Sequence, residues 1–493
     1  MLLNSSTFFF LVTLTVVLGA AVLPDKTVAP KNYIQETFGK EVAELIQYIT
    51  KGEEVGLAYQ WLSKLVDGFG HRMVGSDSLE KSIAFLEESL KNDNFDKVHT
   101  EEVPNLPHWV RGNDVVEMIE PRNQRLNVLA IGGSEPASAT GEVTVIYDLD
   151  DVKPDDVRGK IVVTAQTFAG YPLTLKYRRS VKLFEQLGAI GVLVKSITSF
   201  SINSPHTGTG AENTTIPAAC LTIEEAEMLE RLYRSGKKIV IRMDMKSHYE
   251  EPINSSNLIF EITGSERPSE VVLLSAHVDS WDVGQGALDD GAGCAVVWSA
   301  LHSLKKLAER NPKFKPKRTI RGIFWTSEEQ GYGGAKHYYI THKNDSPEKF
   351  YFVSETDTGT FKSTNWLAHL SFSGDKKSML RLKEITRLLS RNGIALGLIN
   401  SSVQGDVTFW AKDGIPSVNY IPDKAVDYYF YFHHTAGDYM TVLKDGDLEY
   451  TTSIFATLGH VIANMDDWGS DPNQPQQLNS KQSTTEKSDR KKL

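Results

Sequence analysis

Cysteine is scarce in this chain of 493 residues: only Cys220 and Cys294 are present. That excludes a disulfide scaffold and a thiolate-held metal. Both read as buried free thiols, the usual state of unpaired cysteine. Clustered basic charge is missing too. The net charge is −10, spread along the chain, and Lys and Arg form no stripe. Nucleic-acid binding needs such a stripe and is excluded as a function class. Apart from the N-terminus there is no apolar run long enough to span a bilayer, so no membrane partner is expected. With 40% hydrophobic and 24% charged residues, the composition is that of an ordinary globular protein. At this length two domains are expected.

The chain opens MLLNSSTFFFLVTLTVVLGAAVLP. Phe8–Leu18 has the length of a signal-peptide h-region, and Gly19 and Ala21 supply small residues for cleavage near Ala21. No Lys or Arg precedes the apolar run, which leaves an uncleaved anchor as the alternative. Residues 1–21 are therefore read as a signal peptide and 22–45 as a removable pro-segment. Asn213, Asn254, Asn344 and Asn400 each begin an N-x-[ST] sequon, in keeping with secretory entry. Residues 469–493 are polar and low in complexity, and are read as a disordered tail.

Between these ends the texture changes twice. Apolar residues at three- and four-residue steps predict helices within 54–95. Short Val- and Ile-rich runs such as GKIVVTAQ and AIGVLVKS then predict a β-rich insert over 123–246. From 257 onward strands and helices alternate, which predicts an α/β fold with a mixed, mostly parallel sheet covered by helices on both faces. Residues 46–122 and 247–468 form that main domain.

Ligand-type residues recur directly after its apolar β runs. His277 and Asp279 close VVLLSAHVD, Glu328 and Glu329 close GIFWTSEE, and Asp357 closes YFVSETD. His434 ends the aromatic run DYYFYFHHT, which reads either as a pocket wall or as a buried strand or interface. Taken singly, each is weak: an EE pair is usually solvated, and an Asp after a strand is usually a helix cap. Their conjunction at successive strand ends is the signal, because open α/β sheets place sites there. Histidine and carboxylate ligands without thiolates suit zinc. A pair of metals roughly 3.5–4 Å apart needs a bridging carboxylate. Asp289, twelve residues after His277 in a Gly-rich loop, can provide it. Asp282 and Asp290 are expected to hydrogen-bond loop backbone, and His433 to be structural or pocket-lining.

The order H-x-D, D-D-G, E-E, E-x-D, H-T-x-x-D resembles the M28 co-catalytic zinc peptidases, over nearly all of the chain after the signal peptide. The resemblance implies a zinc-exopeptidase fold whose β-rich insert is a protease-associated domain. It implies two zinc ions per chain, one held by His277, Asp289 and Asp357, the other by Asp289, Glu329 and His434. Glu328 would be the general base and then the general acid, and Asp279 would orient His277. It further implies a homodimer, a cis Asp289–Asp290 peptide, and hydrolysis of dipeptides or short peptides in a secreted or lysosomal setting. A non-catalytic receptor-like module is the competing class. So is a one-zinc aminoacyl cyclotransferase, against which His277 and Asp279 stand.

Overall fold

A computed structural model describes residues 33–468, apart from 346, 365–366 and 467. The signal peptide, residues 22–32 and the polar tail fall outside the described residues. The described chain builds two eight-stranded sheets and a two-stranded ribbon.

The first sheet runs in the order Asp96–Leu106, Ile253–Ile262, Arg318–Trp325, Arg267–His277, Lys349–Glu355, Ser417–Ile421, His369–Ser373, Gly397–Asn400. Its four central strands, from Arg318–Trp325 to Ser417–Ile421, are mutually parallel, and antiparallel pairs flank them. The central strands read as continuous apolar runs because both of their faces are buried. Side chains alternate across a strand. Val272, Leu274 and Ala276 thus join the larger core, with the helices Leu57–Phe69, Ala292–Arg310 and Asp447–Asn464. Leu273, Ile323 and Trp325 join a second core with Ala335, Tyr338 and Trp410, from the helices Gly333–Asp345 and Thr408–Lys412. Helices therefore cover both faces, as the alternating pattern predicts.

The expected pro-segment meets this core. The helix Tyr33–Lys51 buries Ile34, Phe38, Val42, Leu45, Ile46 and Ile49, in the three- and four-residue spacing of an amphipathic helix. A boundary at residue 45 would cut through that helix and strip buried residues from the core.

The second sheet also begins earlier than the expected boundary at 122/123. Val115–Glu120 pairs antiparallel with Val240–Met245, so the unit runs from 115 to 245. It carries the helices Tyr171–Arg178 and Ile223–Arg234 beside its strands. The ribbon Trp109–Val110 with His248–Tyr249 closes its neck. The aromatic run forms a short 3-10 turn, Tyr428–Tyr431, rather than a strand, and another such turn, Asp423–Val426, precedes it.

Candidate active site

Three neighbouring parallel strands and the segment after a fourth deliver the ligand-type side chains to one end of the first sheet. His277 is the last residue of its strand and lies in register with Trp325, two residues before Ser327 and the Glu328–Glu329 pair. Ser275 lies opposite Glu355, two residues before Asp357. His434 follows the turns that succeed Ser417–Ile421. All of the sequence-predicted metal and catalytic residues meet here; the four sequon asparagines lie elsewhere in the chain.

Asp289 stands between two histidines. Its Oδ1 lies 3.2 Å from His277 Nε2, and its Oδ2 lies 3.1 Å from His434 Nε2. His277 Nε2 is also 3.4 Å from Asp357 Oδ1, and His434 Nε2 is 2.9 Å from Glu329 Oε2. Ligand atoms around a tetrahedral zinc, with bonds of roughly 2.0–2.1 Å, lie about 3.3–3.4 Å apart. The two sets approximate that spacing and share only Asp289. Among these atoms His277 Nε2 and Asp289 Oδ2 are buried yet make no hydrogen bond, and the other carboxylate oxygen of Glu329, Oε1, is unpartnered as well. Buried polar atoms are almost always partnered. Unpartnered donor atoms converging on common centres fit divalent cations, and the His/carboxylate set without thiolate fits zinc.

Both imidazoles are held in the tautomer that such binding needs. His277 Nδ1 donates to the Asp279 carbonyl at 3.0 Å, and His434 Nδ1 to the Thr207 carbonyl at 3.1 Å. A carbonyl only accepts, so each Nδ1 carries the proton and each Nε2 faces the site. Asp279 therefore meets His277 mainly through its main chain, its carboxylate lying 3.7 Å away. That carboxylate accepts instead from the Glu328 N–H (3.1 Å) and the Glu329 N–H (3.3 Å), which fixes the glutamate pair.

Electrostatics follow from burial. Burial alone would depress His277, but Asp289 and Asp357 override it and hold the imidazole well above its ordinary range. His434 is likewise raised against its burial, by Glu329 and Asp289. Burial pushes Glu329 up to about 7. Burial also lifts Glu328 well above the usual carboxylate range; Asp357 and Glu329 add to this while His277 opposes it. Glu328 is only half-buried and lines the open cleft with Tyr171, Arg178, Tyr332, Gln404 and Phe430.

The loop residues divide. Asp290 accepts from the Gly293 N–H (3.1 Å) and the His277 N–H (3.3 Å), the backbone role expected of it. Asp282 does not take that role: it forms a two-pronged pair with Arg111, both contacts at 2.7 Å, because the loop there turns toward the second sheet. The Asp289–Asp290 peptide is cis. Gly284 and Gly286 adopt φ of 69° and 60°, a left-handed conformation that side chains disfavour. Cys220 and Cys294 are buried free thiols. His433 lines the cleft, 3.4 Å from Asp289 Oδ2.

Two residues escaped the sequence reading. Asp438 accepts from the Leu288 N–H (2.6 Å) and the Asp289 N–H (3.2 Å), and so anchors Asp289. Its place in H-T-x-x-D was the available signal. Arg72 is fully buried and donates to the carbonyls of Gly70, Val278, Gln285 and Gly286 at 2.6–3.0 Å, stapling the loop from both sides. A lone Arg after a helix gives no such signal.

Comparison with known proteins agrees with this geometry. Residues 257–458 match the family described as Peptidase family M28. Carboxypeptidase Q of Mus musculus is 37% identical over 481 residues, covering 94% of this chain and 98% of that protein. Carboxypeptidase Q of Homo sapiens is 38% identical over 438 residues, covering 87% and 90%. The solved Peptidase M28 precursor of Shewanella amazonensis SB2B is 26% identical, with a TM-score of 0.80 over 90% of this chain and 99% of that one. A zinc aminopeptidase of Bacillus subtilis, 20% identical, shares the fold with a TM-score of 0.63 over 84% and 97%. On these relationships the chain belongs to peptidase family M28 and is a carboxypeptidase Q-like metallo-exopeptidase.

Proposed function

We propose that this chain is a two-zinc exopeptidase hydrolysing dipeptides or short peptides, with Glu328 as its general base. One observation carries the reading: the two oxygens of Asp289 face two different histidines, each with its own second carboxylate. Zinc held by His277, Asp289 and Asp357, and by Asp289, Glu329 and His434, would act as a Lewis acid and lower the pKa of a bound water. The remaining steps belong to the chain's own groups. Glu328 belongs to neither ligand set and has no side-chain hydrogen bond among the described residues. Its carboxylate is free to take the proton of the attacking water and to deliver it to the departing amine. Its raised affinity for protons suits the second step. Asp279 fixes the Glu328–Glu329 backbone by accepting from both main-chain N–H groups.

The signal-peptide reading and the sequons support secretory entry. Asn213, Asn254 and Asn400 are exposed, as glycan acceptors must be. No helix of the described residues is long and apolar enough to cross a membrane. The inserted unit is read as a protease-associated domain and the assembly as a homodimer, which sedimentation of the purified chain would test. Nothing in the relationships favours a non-catalytic binding module.

The direct test is a panel of dipeptides on zinc-loaded protein, with both termini free, the N-terminus blocked, or the C-terminus amidated. Cleavage confined to substrates with both termini free is expected. Turnover of blocked and free substrates alike would refute the dipeptidase part of the reading, and a zinc-loaded protein that cleaves none would refute the catalytic part.

A further inference from the structure

We propose that His206 and Thr207, from the inserted unit, form a positioning arm for the His434 ligand, so that the insert completes one of the two metal positions. This rests on the two-zinc reading. His434 belongs to the first-sheet unit, yet its backbone and ring are both held from outside it. The Thr207 N–H donates to the His434 carbonyl at 3.0 Å, and His434 Nδ1 donates to the Thr207 carbonyl at 3.1 Å. His434 sits at φ 56°, a conformation that a non-glycine residue keeps only when its surroundings impose it. The paired contacts with Thr207 impose it, and fix the tautomer that turns Nε2 toward Asp289 and Glu329.

His206 extends the grip. It is fully buried, its Nε2 lies 2.8 Å from His433 Nδ1, and its ring stacks against His434 with centroids 5.5 Å apart. Three imidazoles therefore gather here. The direct contact between His206 and His433 ties the insert to the residue just before His434, so the trio braces that ligand.

The arm is itself anchored in the insert. His206 N–H donates to Ser196 Oγ at 2.9 Å, and Thr207 Oγ1 donates to the Ala130 carbonyl at 2.8 Å. The buried Arg178 guanidinium donates to the Thr207 carbonyl at 2.6 Å and the Thr209 carbonyl at 3.0 Å. The opposite metal position has no such dependence: His277 takes its Nδ1 contact from Asp279, within its own unit. Groups that orient a metal-bound histidine typically govern metal affinity by about 10–100-fold. Loss of the arm should thus loosen one metal and spare the other.

The test is zinc binding by the full chain, measured by chelator competition on metal-free protein, with thermal melting as the check on folding. Wild type is compared with His434→Ala, His206→Ala and His206→Gln. His434→Ala identifies the zinc that the arm serves. His206→Ala should weaken that same zinc by about tenfold or more and leave the other at wild-type affinity. Gln, which can still hydrogen-bond His433, should restore part of the loss. If the Ala variant fails to fold, His206→Gln and Arg178→Lys take its place, each expected to give a smaller loss at the same zinc. A folded His206→Ala that binds both zincs as wild type does, or that loosens both equally, overturns the proposal. A wild type that takes up a single zinc overturns the two-metal reading instead. The arm then stands only if His206→Ala and His434→Ala both weaken that zinc.

Discussion

Glu328 and Glu329 are chain neighbours with different surroundings. Glu329 Oε2 faces His434 at 2.9 Å, while the Glu328 carboxylate has no hydrogen bond among the described residues and opens to the cleft. Glu329→Gln should therefore cost zinc, whereas changing Glu328 should not. Asp438 provides a subtler test. Asp438→Asn can keep only one acceptor for two main-chain N–H groups, so Asp289 loses its anchor. Zinc affinity should drop by about tenfold or more while the fold persists, as read by chelator competition and circular dichroism. Most of the ligand-type residues were legible in the sequence, because His277, Glu329 and Asp357 stand just after apolar strand runs. Asp438 was marked only by its place in H-T-x-x-D, and Arg72 and His206 not at all. Those two act through main-chain groups or another histidine far along the chain, and spacing carries no trace of such contacts.

At the scale of elements, the loop 278–293 is held by Arg72. Its four acceptors are neutral carbonyls, so its removal leaves several buried oxygens unpaired. Arg72→Met should cost on the order of 3 kcal/mol, measured by urea unfolding of the metal-free protein. The N-terminal helix gives a pH-dependent prediction. His460 is buried against Phe38 of that helix and against Phe314. Burial pulls its pKa down to about 4, with Glu41 opposing weakly. The unfolded chain takes that proton near its ordinary value, about 6.5. Between those values the unfolded state binds more protons, so stability falls as pH drops from about 6.5 toward 4. The contribution is about 3 kcal/mol over that window, and His460→Leu should flatten this part of the stability profile. Helix and strand periods made most elements legible. The run DYYFYF has neither period, and its 3-10 turn packs against the insert, where Phe430 stacks on Tyr171.

For the whole molecule, the two units share surfaces at the site. Trp281 from the first unit packs edge-on to Trp109 and belongs to the hydrophobic core of the second, and Arg111 pairs with Asp282 beside it. The sequence marked the insert by its change of texture, but not its true start. Val115–Glu120 is joined to the sheet by pairing with residues more than a hundred positions later. Metal loading also acts on the whole molecule. With His277 and His434 both raised, the metal-free protein holds protons there near neutrality, and zinc must displace them. Zinc uptake should release protons, and its affinity should rise with pH, as calorimetry in buffers of different ionisation enthalpy would show.

The most direct measurement pairs dipeptide turnover with zinc content in Glu328→Gln and wild type, prepared alike. Turnover should fall by about 10²–10⁴-fold in Glu328→Gln while zinc per chain stays at the wild-type level. A variant that keeps near-wild-type turnover, or that loses its zinc together with its activity, would contradict the assignment of Glu328 as a base outside the metal shell.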